Sequence, residues 1–138
     1  MEYLVGLILG LIVAIFAAWV GFDRDRAFYP AVLIVVASYY SLFAVMGASG
    51  RTILVETLLG SVFVVFAVLG FKKNLWFAAV GIAGHGVFDL LHRLLIHNPG
   101  VPRWWPGFCM TIDVVLGAWL AGLLLRRSGA SPTPGTPR

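Results

Sequence analysis

The sequence predicts an all-α, polytopic membrane protein, a single-domain bundle of five transmembrane helices. Of its 138 residues, 60% are hydrophobic and only 12% are charged. The mean hydropathy is +0.94. Five apolar runs each have about 20 residues, the length that crosses the hydrocarbon core of a bilayer. A soluble domain of this size could not bury so much apolar surface. The single cysteine excludes a disulfide within the chain.

The transmembrane domain is predicted to cover residues 1–127, with spans at about 3–22, 28–50, 51–71, 74–97 and 106–125. Pro30 falls in the first turn of the second span, where its missing N–H costs no hydrogen bond. The second and third spans meet at MGASGR, which predicts a tight antiparallel hairpin. The tail SGASPTPGTPR, residues 128–138, is polar and proline-rich, a composition typical of disorder.

Basic residues divide unequally between the two ends of this bundle. Seven of the ten lie on one side, namely Arg24, Arg26, Lys72, Lys73, Arg126, Arg127 and Arg138. Because cytoplasmic loops are enriched in Lys and Arg, we expect the N-terminus outside and the C-terminus inside. We expect the chain to lie in the bacterial inner (plasma) membrane and to cross it several times. We interpret the net charge of +4 as a topology signal. Membrane lipids, rather than nucleic acid, are then the expected partners.

The fourth predicted span contains an unusual polar segment, GHGVFDLLHR. At about 100° per residue, His85, Asp89 and His92 fall within a sector of roughly 60° and form one stripe. Their spacings of three and four residues allow two side chains to converge on one ion. The stripe therefore predicts a functional polar site inside the bundle.

Two acids on other spans match the depth of this stripe. At about 1.5 Å per residue, Glu56, His92 and Asp113 all lie roughly 7–11 Å below the outer surface. Ionisable groups rarely face lipid, so we expect them to turn toward each other in the outer half of the bundle. The predicted metal ligands are Asp89, His92 and Glu56, and the predicted catalytic groups are His85 and Asp113. The expected cofactor is a divalent metal, zinc or iron.

Several nearby residues have two interpretations. Cys109, four residues before Asp113, is either a thiolate ligand or a small apolar filler. Asp89 and Arg93 have the acid-first spacing of a helical ion pair, which would not exclude a site. Adjacent tyrosines Tyr39 and Tyr40 point about 100° apart, so only one is expected to donate a hydrogen bond into the cavity. The alternative is that the tyrosine hydroxyls only form hydrogen bonds between helices.

Small and aromatic residues around the motif predict packing and anchoring. Gly81, Gly84 and Gly86 are typical of helices that approach each other closely. Trp104 and Trp105, in the connection before the fifth span, are expected to anchor the membrane interface.

The segments DRDRAFYP, GHGVFDLLHR and NPGVPRWWPGFC together resemble a family of small, uncharacterised bacterial membrane proteins with several spans. The resemblance covers about residues 23–113 and implies no particular activity. At the level of a motif, HGVFDLLH is also similar to alkaline-ceramidase-type hydrolases, in which intramembrane His and Asp residues surround zinc. Those hydrolases have seven spans and more histidines.

Three functions are consistent with these features. The first is an intramembrane metal-dependent enzyme that acts on a lipid or isoprenoid, with zinc generating hydroxide from water or iron supporting oxidation. The second is an accessory subunit of a larger membrane complex. The expected protein partners are accordingly such a complex or, in a homo-oligomer, further copies of this chain. The third is a component of a proton or metal-ion transporter, although the inner half of the bundle lacks matching polar groups.

Overall fold

The computed structural model describes residues 1–129, which form an all-α bundle without strands in that range, as predicted. The helices are α1 Glu2–Val20, α2 Phe28–Gly47, α3 Gly50–Lys72, α4 Trp76–Leu95 and α5 Trp105–Gly129. A short 3₁₀ turn, Phe22–Arg24, follows α1. Ser128 and Gly129 belong to α5, so that helix extends beyond its predicted end. The rest of the predicted disordered tail, residues 130–138, lies outside the described residues.

Four of the helices, α1, α2, α3 and α5, are long and apolar enough to cross a membrane. Large apolar side chains cover the outside of the bundle, among them Ile8, Val45, Leu58 and Val80. Soluble monomers rarely expose so much apolar surface. Helix α4 is not among these four, because its segment GHGVFDLLHR adds two histidines, an aspartate and an arginine.

Helix α4 is the centre of the bundle. It packs against α5, α3 and α2, whereas α1 packs against α5. Helices α2 to α5 alternate in direction, and α1 runs parallel to α5. The end with the α2–α3 and α4–α5 connections is termed the site end, and the opposite end is the tail end. At the tail end, Nη2 of Arg127 donates to the carbonyl oxygen of Asp23 at 3.1 Å, which fixes the α1–α2 connection to α5.

Glycines allow α1 to approach α5 closely. A Cβ atom at Gly6 would lie 2.5 Å from the carbonyl oxygen of Phe108, and one at Gly10 would lie 3.1 Å from Cβ of Val115. The four-residue spacing places both glycines on one face, as in the GxxxG contacts of membrane helices. The α1–α5 interface therefore depends on small side chains.

Close helix packing was predicted at three glycines of α4, and it is confirmed at two of them. Gly81 is buried against Leu33, and a Cβ at Gly86 would lie 3.1 Å from the carbonyl oxygen of Met110. The prediction is wrong for Gly84, where a Cβ would meet open space. Gly84 lies on the exposed face of α4, away from its neighbours.

The connections at the site end are short and capped. The predicted hairpin between α2 and α3 is confirmed, and Oγ of Ser49 accepts a hydrogen bond from the backbone N–H of Thr52 at 3.2 Å. The α4–α5 connection, residues 96–104, folds over the end of α2, where Gly100 lies directly against the carbonyl oxygen of Phe43. A side chain at Gly100 would prevent this contact. The connection is therefore positioned above the polar interior of the bundle.

Candidate functional site

All five predicted site residues lie inside the bundle. Glu56, His85, Asp89 and His92 are each 1% exposed, and Asp113 is 0% exposed. They come from three helices: α3 supplies one, α4 three and α5 one. The expectation that these side chains face the interior is therefore confirmed. Their roles as ligands or catalytic groups remain predictions.

Four residues form a compact group, termed the four-residue cluster: His85, Asp89, Cys109 and Asp113. One potential ligand atom from each lies within 4.8 Å of all the others. The cluster is built from two pairs with i,i+4 spacing, one on α4 and one on α5. Because residues four apart lie on the same helical face, packing α4 against α5 brings the two pairs together.

Short contacts hold the cluster. Nδ1 of His85 lies 2.7 Å from Oδ2 of Asp113 and 3.6 Å from Oδ2 of Asp89. The Cys109 thiol lies 3.9 Å from Oδ2 of Asp113, and it is also within 4.8 Å of a carboxylate oxygen of Asp89. Imidazole, thiolate and carboxylate groups are all zinc ligands, and histidine with carboxylate also suits iron. The donor set therefore fits a divalent transition metal.

Two carboxylate oxygens in the cluster have no hydrogen-bond partner. They are Oδ1 of Asp113 and Oδ2 of Asp89, both buried, and the second lies 3.6 Å from Nδ1 of His85, too far for a hydrogen bond. A buried polar atom without a partner costs about 1–3 kcal/mol, and more when it is charged. A cation between these oxygens would remove that cost, which is a second indication that the cluster binds a metal.

A second buried group, termed the His92–Glu56 pair, lies nearer the site end. Nε2 of His92 is 2.7 Å from Oε1 of Glu56, which also accepts a hydrogen bond from Nδ2 of Asn98 at 2.9 Å. Nδ1 of His92 and Oε2 of Glu56 have no partner. Asn98 is not among the predicted site residues, although its place in an Asn-Pro-Gly turn beside the polar span was a usable signal.

Tyr40 joins the two groups. Its hydroxyl donates to Oδ1 of Asp89 at 2.6 Å, and its ring stacks on that of His92 with centroids 3.9 Å apart. Tyr39 instead packs edge-on against Trp105, with centroids 5.0 Å apart. The expectation that only one of the two tyrosines donates into the polar interior is confirmed. Tyr40 thus fixes the orientation of Asp89 relative to the cluster.

The structure groups the predicted residues differently from the depth estimate. Glu56 pairs with His92 as expected, but Asp113 pairs with His85 instead of sharing their level. The reason is the axial position of α5 against α4: Asp113 lies eight residues after the start of α5 at Trp105, whereas His92 lies only three residues before the end of α4 at Leu95. Asp113 consequently lies closer to the level of His85 than to that of His92.

The alternative ion pair on α4 does not form. Within residues 1–129, Asp89 and Arg93 make no salt bridge, since Asp89 accepts from Tyr40 while Nη2 of Arg93 donates to the carbonyl oxygen of Pro102 at 3.5 Å. Arg93 points toward the α4–α5 connection. Asp89 therefore remains available to the four-residue cluster.

An apolar groove of about 440 Å³ leads to the cluster from the side of the bundle. It separates α2 from α5 beside α1, and Val35, Phe108, Ile112 and Cys109 are among its lining residues. Cys109 belongs both to the groove wall and to the four-residue cluster. A hydrocarbon chain in this groove would therefore lie against Cys109, one member of the cluster.

No protein-family model, no curated protein and no solved structure matches this chain.

Proposed function

We propose that the protein is an integral membrane metalloenzyme whose divalent ion is held by His85, Asp89, Cys109 and Asp113. One observation carries this proposal: four different ligand atoms lie within 4.8 Å of one another in the buried interior of the bundle. This assignment keeps Asp89 as a ligand, moves His85 and Asp113 from catalysis to coordination, and leaves the His92–Glu56 pair outside the ion's ligands.

The charge of the site also favours a cation. Three carboxyl groups and two imidazoles are buried together, at Glu56, Asp89, Asp113, His85 and His92. When all three acids are ionised, the formal charge of the group is negative even if both imidazoles are protonated. A single charged side chain in the middle of a span costs roughly 2.5–3.5 kcal/mol on insertion scales. A divalent ion bound to Asp89 and Asp113 would offset their negative charge.

The proposed substrate is a lipid or isoprenoid. The apolar groove has room for part of a hydrocarbon chain and ends at Cys109, beside the proposed ion. When bound, a zinc ion would lower the pKa of a coordinated water, whereas iron would support oxidation. The protein's own contribution is to exclude bulk water, to hold the ligands on two rigid helices and to orient Asp89 through Tyr40. The likeness to alkaline-ceramidase-type hydrolases agrees with this substrate class and remains a prediction.

Metal analysis of the purified protein tests the proposal. We expect about one zinc or iron ion per chain, measured by inductively coupled plasma mass spectrometry. His85→Ala should reduce metal content at least tenfold, since the imidazole supplies a ligand that alanine lacks. His97→Ala is the matched control, because His97 is exposed at the site end and should leave the metal in place.

Cobalt(II) substitution provides a second readout that does not depend on removing the histidine. A thiolate ligand gives cobalt an intense near-ultraviolet absorption, and Cys109→Ser should abolish it while other ligands still bind. A wild-type protein that purifies without metal and binds none on titration would contradict the proposal. The accessory-subunit function would then be preferred.

We also propose that all five helices cross a bacterial inner membrane with the site end outside. Helix α4 joins the end of α3 to the start of α5 through short connections, so it must cover the same distance as its neighbours. Of the nine basic residues within residues 1–129, six lie toward the tail end, which favours a cytoplasmic position for that end.

Reporter fusions test this topology. A fluorescent protein attached after residue 138 should be fluorescent, and alkaline phosphatase at the same position should be inactive. The same reporters inserted in the α4–α5 connection are the control and should show the reverse. Active phosphatase at the C-terminus would instead place the polar site toward the cytoplasm.

A further inference from the structure

A basic cleft lies at the site end, outside the four-residue cluster. Its volume is about 280 Å³, and it is enclosed by the end of α4 and the α4–α5 connection. The polar side chains that line it are those of His92, Arg93, His97, Asn98 and Arg103. No aspartate or glutamate is among its lining residues. The two arginines therefore give the cleft a basic surface, whereas two of its other lining residues, His92 and Asn98, already hydrogen-bond to the buried carboxyl group of Glu56.

The two arginines of this cleft have no acidic partner. Within the described part of the chain, neither Arg93 nor Arg103 forms a salt bridge. The guanidinium of Arg93 makes one long hydrogen bond, at 3.5 Å, to the carbonyl oxygen of Pro102. Guanidinium groups stay charged at any physiological pH and carry five N–H donors each. Most of this capacity for hydrogen bonding remains available to an anion.

A buried histidine with one unpartnered ring nitrogen also lines the cleft. His92 is 1% exposed and lines the cleft, and its Nδ1 has no hydrogen-bond partner. Its other ring nitrogen is held by Glu56 at 2.7 Å, which fixes the orientation of the ring. Buried polar atoms in folded proteins usually have a partner, and a bound ligand or water is one way to supply it. This nitrogen is independent of the arginines as a sign that the cleft binds something.

The arginines also stand next to the four-residue cluster. A smaller cleft of about 130 Å³ is lined by Arg93 and Arg103 together with two acids, Glu2 and Asp89, and Asp89 is one of the proposed metal ligands. A group bound between the guanidiniums would therefore lie beside the proposed ion. The cleft is at the end of α4, where a lipid headgroup would be found if α4 spans the bilayer.

We propose that Arg93 and Arg103, with His92, bind the phosphate group of a membrane amphiphile. The planar guanidinium fork matches two phosphate oxygens at once, which makes arginine well suited to this group. The inference rests on the proposed function and gives it a substrate class: a lipid or isoprenoid that carries a phosphate ester. Inorganic phosphate shares the recognised chemistry, so the test must separate the two sources.

Binding of short-chain phosphatidic acid to the full-length protein in detergent micelles tests the site. We expect saturable binding by isothermal titration calorimetry, with much weaker binding of the diacylglycerol that has the same chains. Arg93→Ala and Arg103→Ala should each weaken the affinity at least tenfold. Arg51→Ala is the matched control, because Arg51 is an exposed arginine at the same end of the bundle and does not line the cleft. This variant should stay within about twofold of wild type.

Inorganic phosphate forms the second arm. Binding of the lipid with little response to inorganic phosphate assigns the site to a headgroup, whereas equal binding of both, lost in the same two variants, assigns it to free phosphate. Equal weakening by Arg51→Ala and Arg93→Ala would overturn the proposal, since it would indicate general attraction between basic residues and headgroups. So would equal affinity for phosphatidic acid and diacylglycerol.

The variant Asp113→Asn separates this inference from the metalloenzyme proposal. It removes a proposed metal ligand but none of the residues that line the basic cleft. We expect it to bind phosphatidic acid within about threefold of wild type after its metal content is lost. A wild-type protein that purifies without metal, binds none on titration and still binds the lipid would disprove the metal centre but support the phosphate site. A protein that binds metal but not phosphatidic acid would do the opposite.

Discussion

His92→Ala is expected to lower the free energy of unfolding by about 3–5 kcal/mol and to leave the metal content unchanged. The carboxyl group of Glu56 is buried and lies 2.7 Å from Nε2 of His92. Removing the imidazole leaves this buried carboxyl group with only Asn98 as a partner, which costs about 1–3 kcal/mol, and truncating the buried ring adds a cavity, which brings the total to about 3–5 kcal/mol. The metal should stay, because His92 lies outside the four-residue cluster.

A double variant provides the control for this result. His92→Leu combined with Glu56→Leu replaces both partners with apolar groups, so it should recover most of the stability. Unfolding is measured by circular dichroism in mixed micelles with increasing sodium dodecyl sulfate, and metal content is measured on the same samples. Loss of metal in His92→Ala would show that Asp89, His92 and Glu56 are the ligands, as the sequence alone predicts. The four-residue cluster would then not be the metal centre.

Gly6→Val is expected to lower the free energy of unfolding by about 3 kcal/mol. The first added carbon would lie 2.5 Å from the carbonyl oxygen of Phe108, and this backbone atom cannot move unless α5 moves. Overpacking costs about 1–3 kcal/mol, and we expect the upper end because a backbone must shift. Thermal unfolding in detergent, followed by circular dichroism, measures the effect.

Gly84→Val is the matched control for the α1–α5 contact. Gly84 is also a helical glycine, but a Cβ there meets no atom within 4 Å. Valine is a slightly better helix former than glycine, so stability should change by no more than about 0.5 kcal/mol. If both variants lose the same stability, the effect does not come from packing between α1 and α5. The α1–α5 interface would then not depend on Gly6.

The sequence by itself determined the class of the protein and the direction of its polar side chains. Apolar runs of membrane-spanning length predicted the helices, and MGASGR predicted the hairpin. The spacing of His85, Asp89 and His92 predicted one stripe, and the cost of ionisable groups in hydrocarbon turned that stripe inward. The same cost predicted that Glu56 and Asp113 lie inside. The contact of α1 with α5 was also open to prediction, because Gly6 and Gly10 form a GxxxG pattern.

Only the tertiary structure decided which buried groups touch. A shift of one residue along a helix moves a side chain about 1.5 Å along the axis and turns it by about 100°, so small offsets between helices change the partners. The pairing of Asp113 with His85 and the entry of Cys109 into the cluster depend on how α5 sits against α4. The position of α5 along α4 is not encoded in the residue pattern of either helix alone.

The same holds for features that arise between elements distant in the chain. Asn98 reaches Glu56 because the α4–α5 connection folds back over α2, and the apolar groove exists because α2 and α5 stand apart. Arg93 forms no salt bridge with Asp89, because the fold brings Tyr40 to Asp89 and the carbonyl oxygen of Pro102 to Arg93. Periodicity reports which face of a helix is buried, but contacts between helices depend on packing that is cooperative over the whole bundle.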